Sequence, residues 1–161
     1  MGVRDRLDAN YTKHFDDLTV LCRALGAGSS AEDIAQDALL HARERQDQLR
    51  DPTKLEAWLR RIAARRTLEH LRRQRRPEPE EPVSAFVPVD PSISIDVSAA
   101  ITKLPLRERV AVVLFYGLGY EQEEAAAVMG VTRGTVATLL HRARRHLAER
   151  LAGYAEAHDL P

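Results

Sequence analysis

Three groups of side chains in this 161-residue chain sit at spacings suited to recognition, and none sits at a spacing suited to bond-breaking. Arg60, Arg61, Arg65, Arg66, Arg72, Arg73, Arg75 and Arg76 stand between positions 60 and 76 against one acid, Glu69, a local net charge of +7. Such a density suits contact with phosphates, although a solvated helix face accounts for an arginine run equally well. Asp33, Gln36 and Asp37 lie three and four residues apart, which on a helix makes one polar stripe. Beyond Gly130, the segment from Thr132 to Arg145 alternates hydroxyls and arginines. Catalytic signatures are lacking. The six histidines (His14, His41, His70, His141, His146 and His158) are scattered with no pair four apart, and there is no phosphate loop or nucleophile motif. Cys22 is the single cysteine, so no internal disulfide is expected. No catalytic residue, metal or cofactor is implied.

Helices must position these groups. Tyr11, Phe15, Leu18, Cys22 and Leu25 recur at helical steps and are expected on one apolar face. Gly26 and Gly28 stop that helix, and Ser29 and Ser30 with Glu32 and Asp33 start another. Ile34, Ala38 and Leu39 form its buried side, leaving Asp33, Gln36 and Asp37 to face elsewhere. Asp51-Pro52-Thr53 breaks the chain and caps a third helix, whose Leu55, Trp58, Leu59 and Ile62 form an apolar stripe before the arginines. Trp58 is expected in the core, and so is the Cys22 thiol.

After the proline-rich segment, Arg107–Phe115 and Gln122–Met129 read as helices, and Thr132 is placed to cap a longer one reaching about Leu151. Two helices joined by a tight glycine-containing turn, the second starting on a threonine, form a helix-turn-helix pattern. A plain helical hairpin shares it.

Composition agrees. Apolar residues make up 44% of the chain and aromatics only 5%, a palette of Leu, Ala, Val and Ile that favours packed helices. The expected fold is all-α: two small helical domains, 8–76 and 99–155, joined over 77–98 by a linker rich in proline and acid. The net charge of zero argues at first against a nucleic-acid partner. Segment charges reverse that argument: −3 over 1–59, +7 over 60–76, −5 over 77–102 and +1 over 103–161. With no apolar run of membrane-spanning length and no signal-like N-terminus, a soluble cytoplasmic protein without membrane insertion is expected.

Together the two halves resemble bacterial sigma factors of the extracytoplasmic-function (ECF) type in the sigma-70 family, which keep the second and fourth sigma domains. The stretch Ala31-Glu32-Asp33-Ile34-Ala35-Gln36-Asp37-Ala38-Leu39 is similar to the family's polymerase-binding helix. Ala57-Trp58-Leu59-Arg60-Arg61-Ile62-Ala63, followed by Leu68-Glu69-His70-Leu71-Arg72-Arg73, is similar to its promoter-melting and −10-reading helix. Leu104-Pro105, Gly119-Tyr120, Gln122–Ala126 and Gly130-Val131-Thr132-Arg133-Gly134-Thr135-Val136 through Arg144 are similar to its −35-binding domain.

The resemblance implies that Asp33, Gln36 and Asp37 dock on the clamp helices of the polymerase's largest subunit. Arg61, Arg65, Arg66, Glu69, His70, Arg72 and Arg73 would serve the −10 region, and a flipped base would enter the loop around Arg50–Thr53. Thr132, Arg133, Thr135, Thr138, Arg142 and Arg145 would serve the −35 element. Implied partners are core RNA polymerase, promoter DNA and an anti-sigma protein.

The chain departs from the family pattern at several places. Ala137-Thr138-Leu139 stands where Lys-Ser-Arg is common, so two cations are expected to be missing from the DNA-facing helix and −35 affinity to be weakened. Arg65 replaces an asparagine of the melting helix, and Glu69 stands where aspartate is usual. Two other functions fit the residues: a sigma-like adaptor that reads −35 DNA poorly, and a helix-turn-helix regulator that binds DNA unaided.

Overall fold

The computed structural model describes residues 1–74 and 95–158. The chain divides into two compact units, Met1–Pro82 and Val83–Pro161. Among the described residues every regular element is helical. Arg75, Arg76 and most of the expected linker lie outside the described residues.

The first unit contains α1 (Val3–Ala9), α2 (Tyr11–Ala24), α3 (Ala31–Glu44) and α4 (Leu55–Arg73). Helices α2, α3 and α4 each pack on the other two, and α1 adds to α2. Leu18, Leu21, Cys22 and Leu25 of the α2 segment close on Ile34, Ala35, Ala38 and Leu39 of α3 and on Leu55, Leu59, Ala63 and Ala64 of α4, all buried. The alanines permit close helix approach, and the leucines carry most of the apolar burial. At the end of α2, Gly26 adopts φ 95°, a left-handed conformation that glycine tolerates at no steric cost.

Several details differ from the periodicity. Tyr11, expected on the apolar face of α2, is 40% exposed, and Phe15 is half-buried. Both sit in the first turns of α2. Trp58 and Ile62 are half-buried, so the α4 stripe is covered fully only at Leu55 and Leu59. The cap before α4 belongs to Asp51, whose carboxylate accepts from the Thr53 N–H at 3.0 Å and the Thr53 hydroxyl at 2.7 Å. These bonds hold the Asp51 carboxyl below its ordinary pKa.

The second unit contains α5 (Ile95–Thr102), α6 (Leu106–Val112), α7 (Gln122–Met129) and α8 (Arg133–His158). The chain is already helical from Ile95, inside the stretch read as linker. A turn of π-helix, Val113–Gly117, extends α6. Helix α8 packs on α5, α6 and α7, with Leu114, Tyr120, Val136, Leu140 and Ala143 buried among them. Arg109 is 2% exposed; its guanidinium donates to the carbonyls of Thr102 and Leu104, both at 3.3 Å, so a buried charge ties α6 to the end of α5. Glu108, also buried, meets Nδ1 of His146 at 2.6 Å and links α6 to α8. Helix α8 runs past the expected Leu151, to His158.

Candidate functional site

On α3, burial of Ile34, Ala35, Ala38 and Leu39 turns the opposite side to solvent, and Asp33, Gln36 and Asp37 are all exposed there. Among the described residues no cation pairs with Asp33 or Asp37, whereas the neighbouring Glu32 pairs with Arg23 at 3.4 Å. The stripe is therefore an unneutralised acid/amide surface. Leu40, seven residues after Asp33, continues it by another turn and is 50% exposed. The periodicity gave no signal for this, because Leu40 adjoins the buried Leu39 in sequence and apolar type alone does not separate them.

The arginines of α4 divide by their surroundings. Arg60 has a side chain 16% exposed and lies 3.9 Å from Glu56, which also accepts from Lys13 at 3.1 Å. Lys13 holds the Glu56 carboxyl below its usual range, and Glu56 raises the Lys13 pKa in return. Arg73 is paired with Glu69 at 2.9 Å, and Gln74 Nε2 meets His70 Nε2 at 2.9 Å. Arg65 is exposed and Arg66 half-buried, and neither has an acidic partner among the described residues. Arg61, Arg65, Glu69 and Arg72 recur at helical spacing along one side of α4, so that side carries cations interrupted by a single acid. The cationic strip is narrower than the count of arginines suggests, because Glu56 and Glu69 engage two of them.

In the second unit, α7 and α8 meet at Gly130, which adopts φ 69°. A left-handed residue there reverses the chain within a few positions, the turn a helix-turn-helix needs. Thr132 caps α8: its Oγ1 accepts from the Thr135 N–H at 3.2 Å and lies 2.9 Å from the Thr135 hydroxyl. Thr138 donates its hydroxyl back to the Gly134 carbonyl at 3.0 Å. Arg133 lies 3.7 Å from Glu123 of α7. Thr132, Arg133, Thr138, Arg142 and Arg145 are exposed, and Thr135 is half-buried. His141 joins them on the open face, and Arg144 donates from Nε to the Tyr116 hydroxyl at 2.9 Å.

Of Ala137 and Leu139, the two positions that depart from the family pattern, Leu139 is 7% exposed and faces the core. Only Ala137 occupies an exposed position of the two.

Residues 11–77 match Sigma-70 region 2, and residues 94–147 match Sigma-70, region 4. The chain is 34% identical to the ECF RNA polymerase sigma factor SigM of Mycobacterium tuberculosis over 159 residues, covering 95% of this chain and 80% of that protein. The chain belongs to the ECF sigma factors. The ECF RNA polymerase sigma factor SigW of Bacillus subtilis is 30% identical to this sigma factor over 84% of the chain and 83% of its own length. Among solved structures, a sigma factor RpoE in complex with the anti-sigma factor NepR from Bartonella quintana aligns with a TM-score of 0.56 at 26% identity, over 91% of this chain and 97% of that one. A sigma factor directs RNA polymerase to promoters and leaves the chemistry to the polymerase, which agrees with a chain whose clusters are built for contact.

Groups that a reactive site would need are placed otherwise. Cys22 is fully buried and its thiol is pushed up to about 11 by burial, so it is a packing residue. No cluster of His, Cys, Asp and Glu among the described residues is arranged to hold a metal ion. No helix among them is long and apolar enough to cross a membrane.

Proposed function

We propose that this sigma factor docks on core RNA polymerase through Asp33, Gln36 and Asp37 of α3, reads the −10 region with α4 and reads the −35 element with α8. The observation that carries this reading is the α3 stripe: two exposed carboxylates and an amide on one helix face, with no cation neutralising either acid among the described residues. Unpaired acids on a rigid helix are poised for a basic partner and fix register as well as orientation. Leu40 adds an apolar contact at the end of the same stripe.

Residues 8–76 would serve polymerase and the −10 region, 77–98 the connection, and 99–155 the −35 element. On α4, Arg61, Arg65, Arg66, Arg72 and Arg73 supply phosphate contacts, with Glu69 and His70 nearer the bases. On α8, Arg142 and Arg145 hold phosphates while the first turns approach the major groove, as in other helix-turn-helix proteins. The protein works in the cytoplasm, where its polymerase is. An anti-sigma protein is a fitting regulator, since RpoE of Bartonella quintana was solved bound to one.

The test is reconstitution. Added to core RNA polymerase on a library of promoter templates, the protein should produce run-off transcripts from defined starts. Polymerase that binds the protein yet selects no start would refute promoter direction and leave an adaptor.

A further inference from the structure

One edge of α8 carries an arginine that is tied to the end of α6. Successive helical residues turn by about 100°. On that geometry Gly134, Thr138, His141 and Arg145 run down the centre of the exposed arc, Arg142 borders one edge, and Arg133 and Arg144 border the other. Arg133 lies 3.7 Å from Glu123, which sets that edge along α7. Further along the same edge, Arg144 donates from Nε to the Tyr116 hydroxyl at 2.9 Å.

An irregular backbone brings Tyr116 there. The π-helical turn Val113–Gly117 follows α6, and the Leu118 N–H reaches back to the Val113 carbonyl at 2.9 Å. Val113 and Leu114 stay in the core, whereas Tyr116 is 49% exposed. Single π-helical turns of this kind recur at functional positions. The Phe115 ring meets the phenol ring at 90° with centroids 4.9 Å apart, which limits how far the phenol swings. The guanidinium carbon of Arg144 lies 6.0 Å from the Tyr116 centroid, the outer limit of a cation–π contact, so the hydrogen bond is the firmer link.

The direction of that bond decides what the pair can still do. Arg144 is the donor, so the phenol oxygen is engaged as an acceptor while its own hydrogen is left over. Among the described residues neither side chain has a further hydrogen-bond or ion-pair partner. The phenolic O–H and the terminal N–H groups of the guanidinium are therefore donors without an acceptor, one set of them cationic, and such a set fits an anion. We infer that Tyr116 and Arg144 together grip one phosphate of the −35 DNA backbone, the arginine through its terminal N–H groups and the tyrosine through its O–H. The bond to Tyr116 also holds the guanidinium before DNA arrives, which lowers the ordering cost of binding. Such a contact positions the duplex and reads no base. The inference rests on α8 being the −35 helix.

The test uses the full-length protein with core RNA polymerase on promoter templates in which single phosphates across the −35 element are replaced by neutral methylphosphonates. At one phosphate, neutralisation should cost the wild type about tenfold in promoter affinity, as for a charge-assisted bond. Arg144→Ala should show a similar loss on the unmodified template and no further loss when this phosphate is neutralised. Tyr116→Phe keeps the ring and removes only the hydroxyl; it should lose about threefold and shrink the penalty at the same phosphate. Penalties at the other phosphates should persist in both variants, which a misfolded second unit would not allow. Penalties unchanged by either variant at every phosphate would overturn the inference and reduce the pair to a brace between α6 and α8. Dependence on Arg144 alone would overturn the part assigned to Tyr116. A wild type indifferent to every −35 phosphate would overturn the −35 reading of α8 as well.

Discussion

Asp33 and Asp37 matter because nothing among the described residues neutralises them. A carboxylate paired within its own chain contributes little to a partner, since forming the new contact breaks the old one. Exposed acids without a partner keep their whole interaction available. The double reversal Asp33→Lys, Asp37→Lys should therefore abolish co-purification with core RNA polymerase and leave the far-UV circular dichroism unchanged, because both positions are exposed and outside the core. Retained co-purification would remove the docking role from this stripe. Paired arginines behave in the opposite way. Arg73, held by Glu69, enters a DNA contact only by giving up that bond, while Arg65 enters with none to give up. The arginine at 65, a departure from the family's usual asparagine, is thus among the freer cations on α4.

At the scale of elements, the start of α8 depends on one side chain. Thr132 satisfies the Thr135 N–H at this end of α8. Thr132→Ala should cost about 1 kcal/mol, read as a lower Tm of the second unit's transition in calorimetry. In the first unit, α2 carries a buried histidine. His14 is 5% exposed, and burial lowers its pKa from 6.5. A lowered value means that the folded unit binds a proton less readily than the unfolded chain. Stability is then complete above pH 6.5 and falls as the pH drops through and below it, with a slope of at most about 1.4 kcal/mol per unit. Glu56 and Asp17 favour the charged form and Lys13 opposes it, so burial is the dominant influence. Denaturant titrations at several pH values should show this slope, and His14→Leu should flatten it.

For the whole molecule, the distribution of charge governs what it does alone. The neutral total is an average of −3 over 1–59, +7 over 60–76, −5 over 77–102 and +1 over 103–161. Non-specific attraction to DNA scales with the phosphates a surface can neutralise. With Arg60 and Arg73 engaged by Glu56 and Glu69, the free positive surface is smaller still. Gel-shift titrations should accordingly find weak promoter binding by the isolated protein and strong binding once core polymerase is added. Equal affinity without polymerase would instead describe a stand-alone regulator.

Much of this protein was legible without coordinates. Helical spacing located α2, α3, α4, α7 and the start of α8, and Gly130 and Thr132 marked the turn because backbone geometry and capping are local. The exposure of Asp33, Gln36 and Asp37 followed from burial of Ile34, Ala38 and Leu39 on the other side of the same helix. Periodicity identifies an apolar face, but it does not say which turns of that face a neighbouring helix covers. Tertiary packing alone therefore decided that Tyr11 and Leu40 stay exposed and that Leu139 is buried. It also decided which arginines are neutralised, because Glu56 meets Lys13 across forty-three positions of sequence. The threonine hydroxyls show the finest limit: composition makes Thr132, Thr135 and Thr138 polar, yet side-chain conformation turns each hydroxyl to its own helix.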